Sequence, residues 1–141
     1  MNQFEKNLSD ARNKMLDSYE AISTAEFNLQ HFPNTSIKEA YYAVYHACCA
    51  AIKLRNLHPK THRGVHDYTN NDQLLPNAKE LASTFASLEQ LRQKATYRGV
   101  KYSSQVAEHH LSRAINAVKQ IHDYLLRLHP EVFNLEEQPQ S

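Results

Sequence analysis

The chain has no tryptophan among its 141 residues, two glycines, two cysteines and no long apolar run. Each shortage excludes something. Scarce glycine and absent tryptophan, with abundant alanine, leucine, glutamate, lysine and glutamine, favour helix over sheet. Apolar stretches of a few residues fall far short of the roughly 20 needed to cross a membrane, and Met1 is not followed by the apolar core of a signal peptide. A cytoplasmic protein with no membrane contact is expected. The two cysteines are adjacent, Cys48 and Cys49. On a helix their side chains diverge by about 100°, which argues against a disulfide between them. With no second cysteine cluster to make a metal site, they read as reduced thiols.

What is present starts with charge. The net charge of +1 conceals an asymmetry. Residues 53–66 hold Lys53, Arg55, Lys60 and Arg63 with no acid, and residues 92–101 hold Arg92, Lys94, Arg98 and Lys101 with no acid. The rest of the chain is acidic. If the fold brings the two segments together, they make a local anion site; if not, they are two solvated connections.

The length suits one domain with a single core. We expect it to cover residues 1–130, followed by a polar tail over 131–141. Phe4, Leu8, Ala11, Met15, Ile22, Ala25 and Leu29 follow a helical stripe broken only at Ser18, so a first long helix is expected over about residues 3–31. Pro33-Asn34 should end it, and Ser36 with Glu39 reads as a capping box opening a second helix to about Leu57. His58-Pro59 breaks that helix, Thr61 can cap a short one to about Tyr68, and Asn77 starts another with Leu81, Phe85, Leu88 and Leu91 inward. Ser103 or Ser104 caps the last, with Val106, Leu111, Ala114, Val118, Ile121 and Leu125 as its core stripe. The expected fold is all-α: an up-and-down four-helix bundle with an additional short helix.

The second helix carries an unusual run, Tyr41-Tyr42-Ala43-Val44-Tyr45-His46. Tyr41 and Tyr45 share a face, as do Tyr42 and His46. A helix made only to fill a core would use leucine and isoleucine, because a buried phenol or imidazole needs a hydrogen-bond partner. His46 reads either as a general base or as a core histidine bonded to a neighbouring helix. His62 and His66 have the i, i+4 spacing of helical metal ligands, but Arg63 sits where a zinc hydrolase needs glutamate. An anion contact or a capping role suits them better, and neither metal nor cofactor is expected. Arg92 and Tyr97 would lie roughly 140° apart on a continuous helix. They converge only if the helix ends near Ala95 or if a two-fold dimer brings two copies together; otherwise they are a surface arginine and a tyrosine packed at a helix end.

Three segments, Ala40-Tyr41-Tyr42-Ala43-Val44-Tyr45-His46-Ala47, Pro59-Lys60-Thr61-His62-Arg63-Gly64-Val65 and Leu91-Arg92-Gln93-Lys94-Ala95-Thr96-Tyr97, resemble the HEPN superfamily over about residues 8–127. The resemblance implies a four-to-five-helix bundle that dimerises near the arginine motif and is often paired with a minimal nucleotidyltransferase. Many members are metal-independent endoribonucleases of toxin–antitoxin or defence systems, with an arginine followed after four to six residues by a histidine. Arg92 matches the arginine, while Tyr97 stands where the histidine would be. A phenol, with an ordinary pKa of about 10, is a poor base, though it can donate a hydrogen bond. The catalytic candidates are therefore Arg92, Tyr97 and His46. Lys60, His62, Arg63, His66, Lys94 and Arg98 are the candidates for holding phosphate or nucleic acid. The resemblance implies an RNA- or nucleotide-binding protein. One reading makes it an endoribonuclease toxin; the alternative is a non-catalytic nucleotide-binding or adaptor subunit of a nucleotidyltransferase.

Overall fold

The computed structural model describes residues 1–136. It contains six helices among these residues: α1 (Gln3–Asn28), α2 (Pro33–Leu54), α3 (His62–Asn70), α4 (Ala78–Tyr97), α5 (Ser104–Leu128) and the short α6 (Pro130–Phe133). The four long helices form the bundle, with α3 packed on α2 and α4. No described helix is long and apolar enough to cross a membrane.

Helix α2 is the centre of the bundle and touches α1, α3, α4 and α5. Small residues make that possible: Ala40, Ala43, Ala47, Cys48, Ala50 and Ala51 are buried and let four neighbours approach closely. Ser18, the interruption in the α1 stripe, is fully buried and its hydroxyl donates to the Ala43 carbonyl at 2.6 Å. The stripe is thus continuous in space, with one polar contact to α2 inside it.

Several boundaries differ from the sequence expectation. Helix α1 ends at Asn28, and Phe4 is exposed while Asn7 takes the buried position, bonded to Asn56. Helix α2 begins at Pro33 rather than at a Ser36 cap: proline suits the first helical position because it has no amide hydrogen to satisfy. Ser36 lies inside the first turns, fully buried, its amide bonded to the Phe32 carbonyl. The helix stops at Leu54, short of Leu57, and Asn56 takes positive φ. The hydroxyl of Thr61 caps α3 by accepting from the Gly64 amide, and the helix runs on to Asn70. Leu91 is half-buried, and Val106 is exposed with Ala107 buried in its place. Ser103, not Ser104, caps α5.

The C-terminal boundary also moves. Phe133 is fully buried against the core, and its carbonyl accepts from Nε2 of His122 at 2.8 Å, while Nδ1 of His122 meets the Tyr19 hydroxyl at 2.6 Å. The packed body therefore extends beyond residue 130, because an apolar ring in the expected tail finds a place between α1 and α5. The remainder of that tail, from 137 onward, lies outside the described residues.

Candidate functional site

The polar aromatics of α2 meet α3 and α4 on one side of the bundle. Tyr41 is fully buried; its ring stacks on Phe85 at 5.3 Å and its hydroxyl hydrogen-bonds Nδ1 of His62. His62 also lies against Tyr45, with ring centroids 4.4 Å apart. Burial, then the nearby Glu89 carboxylate, push the Tyr41 hydroxyl well above its ordinary pKa, so it stays a neutral phenol. Burial, then Cys49, raise Tyr45 to about 12.

Arg92 projects from α4 into the same cluster. Its guanidinium carbon lies 4.7 Å from the centre of the Tyr41 ring and 5.9 Å from that of Tyr42, a cation–π arrangement. Nη2 donates to Oε1 of Glu89 at 2.9 Å, and Gln93 Nε2 donates to the same oxygen at 2.7 Å. Burial would raise the Glu89 pKa, but the Tyr41 hydroxyl and the Arg92 guanidinium outweigh it and hold the carboxylate below its ordinary value. Two buried atoms of this pair have no protein partner, Glu89 Oε2 and Arg92 Nε.

Four depressions surround the cluster and separate the residues singled out from the sequence. His62, Arg63 and His66 line a pocket of about 300 Å³ together with Phe85, Glu89 and Gln93. Lys94, Tyr97 and Arg98 line an adjoining shelf, and both depressions reach Gln90 and Gln93. Arg92 borders a notch of about 150 Å³ with Asn34, Thr35, Lys38 and Thr96. His46 faces a groove between α1 and α2, lined by Asp17, Glu20, Lys38 and Glu39. Lys60 is exposed in the connection before α3.

Arg92 and Tyr97 do not converge within one chain. Helix α4 is continuous through Tyr97 and closes only at Gly99, whose positive φ lets the Val100 amide bond back to the Lys94 carbonyl. The five-residue offset therefore keeps its roughly 140°: the Arg92 side chain is 16% exposed, whereas Tyr97 is 77% exposed. His46 stands apart from both. Its Nδ1 is buried without a protein partner, and burial, then Lys14, lower its pKa.

The two acid-free segments meet, but only in part. Arg63 and Gln93 share a pocket, with Lys94 and Arg98 beside it. Arg55 instead makes a two-point ion pair with Asp72, each contact 3.2 Å, and donates to the Tyr124 hydroxyl, which pins the α2–α3 connection to α5. Lys53 lies 3.9 Å from Asp10. Among the described residues no group of three or more histidines, cysteines or acids could hold a metal ion.

Sequence reasoning missed Glu89, Gln93 and Phe85. The signal for the first two was available: Glu89 precedes Arg92 by three residues and Gln93 by four, the spacings that meet on a helix. Phe85 was assigned to the core, which it also serves.

A family model described as HEPN domain matches residues 6–128. Searches of curated proteins and of solved structures give no match.

Proposed function

The chain belongs to the HEPN domain family, and from that premise we propose that it binds RNA or a nucleotide across the pocket between α3 and α4 and the basic shelf beside it. Membership indicates a nucleotide- or RNA-related function; the residues and the mode of action are our reading. The observation that carries it is the joining of two acid-free segments around aromatic rings. Arg63 comes from one, Lys94 and Arg98 from the other, and His62 and Phe85 lie between them. Cations beside ring faces suit a polyanion carrying flat bases. In this reading Tyr97, Lys94 and Arg98 hold the strand outside, and His62, Arg63 and His66 hold the inserted nucleotide. Lys60 adds long-range attraction, and the functional unit is a homodimer around Tyr97.

Cleavage is the second reading, favoured by the contact between Tyr41 and His62. As imidazolium, His62 donates Nδ1–H to the Tyr41 oxygen, and its Nε2 proton can pass to a leaving 5′-oxygen, which returns the ring to its neutral form. His66, one turn away on the same pocket, is the partner that accepts the 2′-hydroxyl proton. No metal enters this step, since the RNA's own 2′-oxygen attacks the phosphorus and a 2′,3′-cyclic phosphate results. The protein then serves as the ribonuclease toxin of a pair with a nucleotidyltransferase; without cleavage it is that enzyme's adaptor.

One experiment separates the outcomes. End-labelled single-stranded RNA is incubated with the protein in EDTA, and bound and cut fractions are read together. Salt-sensitive binding with 2′,3′-cyclic ends lost in His62→Ala supports the ribonuclease. Binding without cleavage supports the adaptor, and no binding at low salt refutes the proposal.

A further inference from the structure

One buried phenol joins the His62 ring to the ion pair on α4. Tyr41 is fully buried, and its hydroxyl bonds Nδ1 of His62 and interacts with the Glu89 carboxylate. Arg92 braces both ends: its guanidinium carbon lies 4.7 Å from the centre of the Tyr41 ring, and Nη2 donates to Oε1 of Glu89 at 2.9 Å. Oε2 of Glu89 is closed to solvent and lacks a close donor. The second ring nitrogen of His62, Nε2, bonds none of the described residues and is not closed off, and the ring lines the pocket between α3 and α4.

One proton decides the direction of these bonds. Burial holds the pKa of Tyr41 well above its ordinary value, so the phenol keeps its proton. Two acceptors compete for it, the Glu89 carboxylate and Nδ1 of His62. A hydrogen bond to an ionised acceptor is roughly twice as strong as one between neutral groups, so the proton turns to Glu89. The Tyr41 oxygen then has only lone pairs left for Nδ1, and the imidazole must supply the proton of that bond.

We propose that Glu89 and Tyr41 are positioning residues for His62: carboxylate, phenol and imidazole form a buried relay that keeps a proton on Nδ1 and presents Nε2 to the pocket. Neutral His62 then meets a ligand as a hydrogen-bond acceptor, and the proton it exchanges is always the one on Nε2. The tautomer stands on the geometry alone, while its use on a ligand rests on the reading that RNA or a nucleotide binds in this pocket. The Arg92–Glu89 pair gains a role at a distance, because it holds the anion on which the direction of the phenol depends. The arginine motif of α4 thus reaches the histidine of α3 through Tyr41 of α2.

The test uses the full chain with isotope-labelled histidine, the His62 signals being identified by their loss in His62→Gln. Long-range proton–nitrogen NMR spectra at about pH 8.5, where an ordinary imidazole is neutral, report which ring nitrogen carries the proton. Wild-type His62 should carry it on Nδ1, against the Nε2 form that free histidine favours in water. Glu89→Gln keeps the shape of the side chain. Its amide oxygen stays with Arg92 and Gln93, so its nitrogen donates to Tyr41, the phenol turns to Nδ1 and the proton should move to Nε2. Tyr41→Phe keeps the ring between Arg92 and Phe85, removes only the hydroxyl and should leave a mixture of the two forms. Arg92 Nε is a second buried donor without a partner; if it satisfies Glu89 in place of the phenol, the wild type will carry its proton on Nε2, which would overturn the relay. A tautomer that neither variant changes would overturn it too. Saturating single-stranded RNA should then shift the Nε2 signal of the wild type and leave Nδ1 protonated. RNA that binds without moving Nε2 would overturn the role toward a ligand and leave RNA binding standing. RNA that does not bind at all would overturn the underlying reading, with the tautomer result unaffected.

Discussion

Replacing Arg92 by alanine separates what this residue does for the fold from what it does for a ligand. Its pair with Glu89 is 2.9 Å long, with side chains 16% and 25% exposed. An exposed pair is worth under about 1 kcal/mol, and stripping one partner from a buried pair costs about 3–5 kcal/mol. This intermediate case should cost about 2 kcal/mol, since Glu89 is left half-buried and charged. Losing the contact with Tyr41 and Tyr42 adds about 0.5–1 kcal/mol. The melting temperature should fall by on the order of 8 °C. Glu89→Gln in the same chain removes the stranded charge, so the double variant should regain about 1–2 kcal/mol. Urea unfolding of the wild type, both single variants and the double variant closes the cycle. RNA affinity, compared with that of Glu89→Gln alone, should follow a different pattern, lost in Arg92→Ala and still lost in the double variant. A double variant that recovers both stability and binding would refute a direct ligand role, leaving Arg92 as no more than the partner of Glu89. Strict additivity of the two stability changes would refute the coupling.

Three other expectations follow from the same geometry. Reversing Lys60 and Arg63 to glutamate should weaken RNA binding and reduce the salt slope by about two, whereas reversing Lys14 and Lys119 should do little; equal losses would mean diffuse binding. Burial lowers the proton affinity of His46 and of His110 below the ordinary histidine value, so the stability they contribute is complete above about pH 6.5 and is lost as pH falls toward their folded values. Thermal melts from pH 7 to pH 5 should show that loss, and His46→Gln should flatten it. Phe133→Ala should cost about 3–5 kcal/mol in urea unfolding, and a loss under about 1 kcal/mol would show that the last turn is not part of the folded body.

Periodicity and punctuation sufficed for most of the fold because they are local. Pro59 and Gly99 act through their own backbone, Thr61 and Ser103 through hydroxyls that cap the adjoining turn, and the stripe of α5 is legible as a 3.6-residue repeat. Ser36 misled because a capping box is a pattern, while proline at the first helical position is a constraint that overrides it. The tail misled because burial of Phe133 depends on a gap between α1 and α5 that composition does not display.

The site divides along the same line. The sequence by itself determined which side chains can meet on one helix: Tyr41 with Tyr45, His62 with His66, and Glu89 with Arg92 and Gln93. It also determined the family, because the motifs lie in order along the chain. Tertiary structure alone decided which of these rows face one another. Helices α2, α3 and α4 bring Tyr41, His62 and Arg92 into one cluster, while α1 and α2 carry His46 to another groove. It also decided the fate of the basic residues, placing Arg63 at a pocket and locking Arg55 onto Asp72. Charge along a chain says where attraction is available. Whether it is spent on a ligand or on a neighbouring carboxylate depends on distances of a few ångströms between residues far apart in sequence, and only packing sets those.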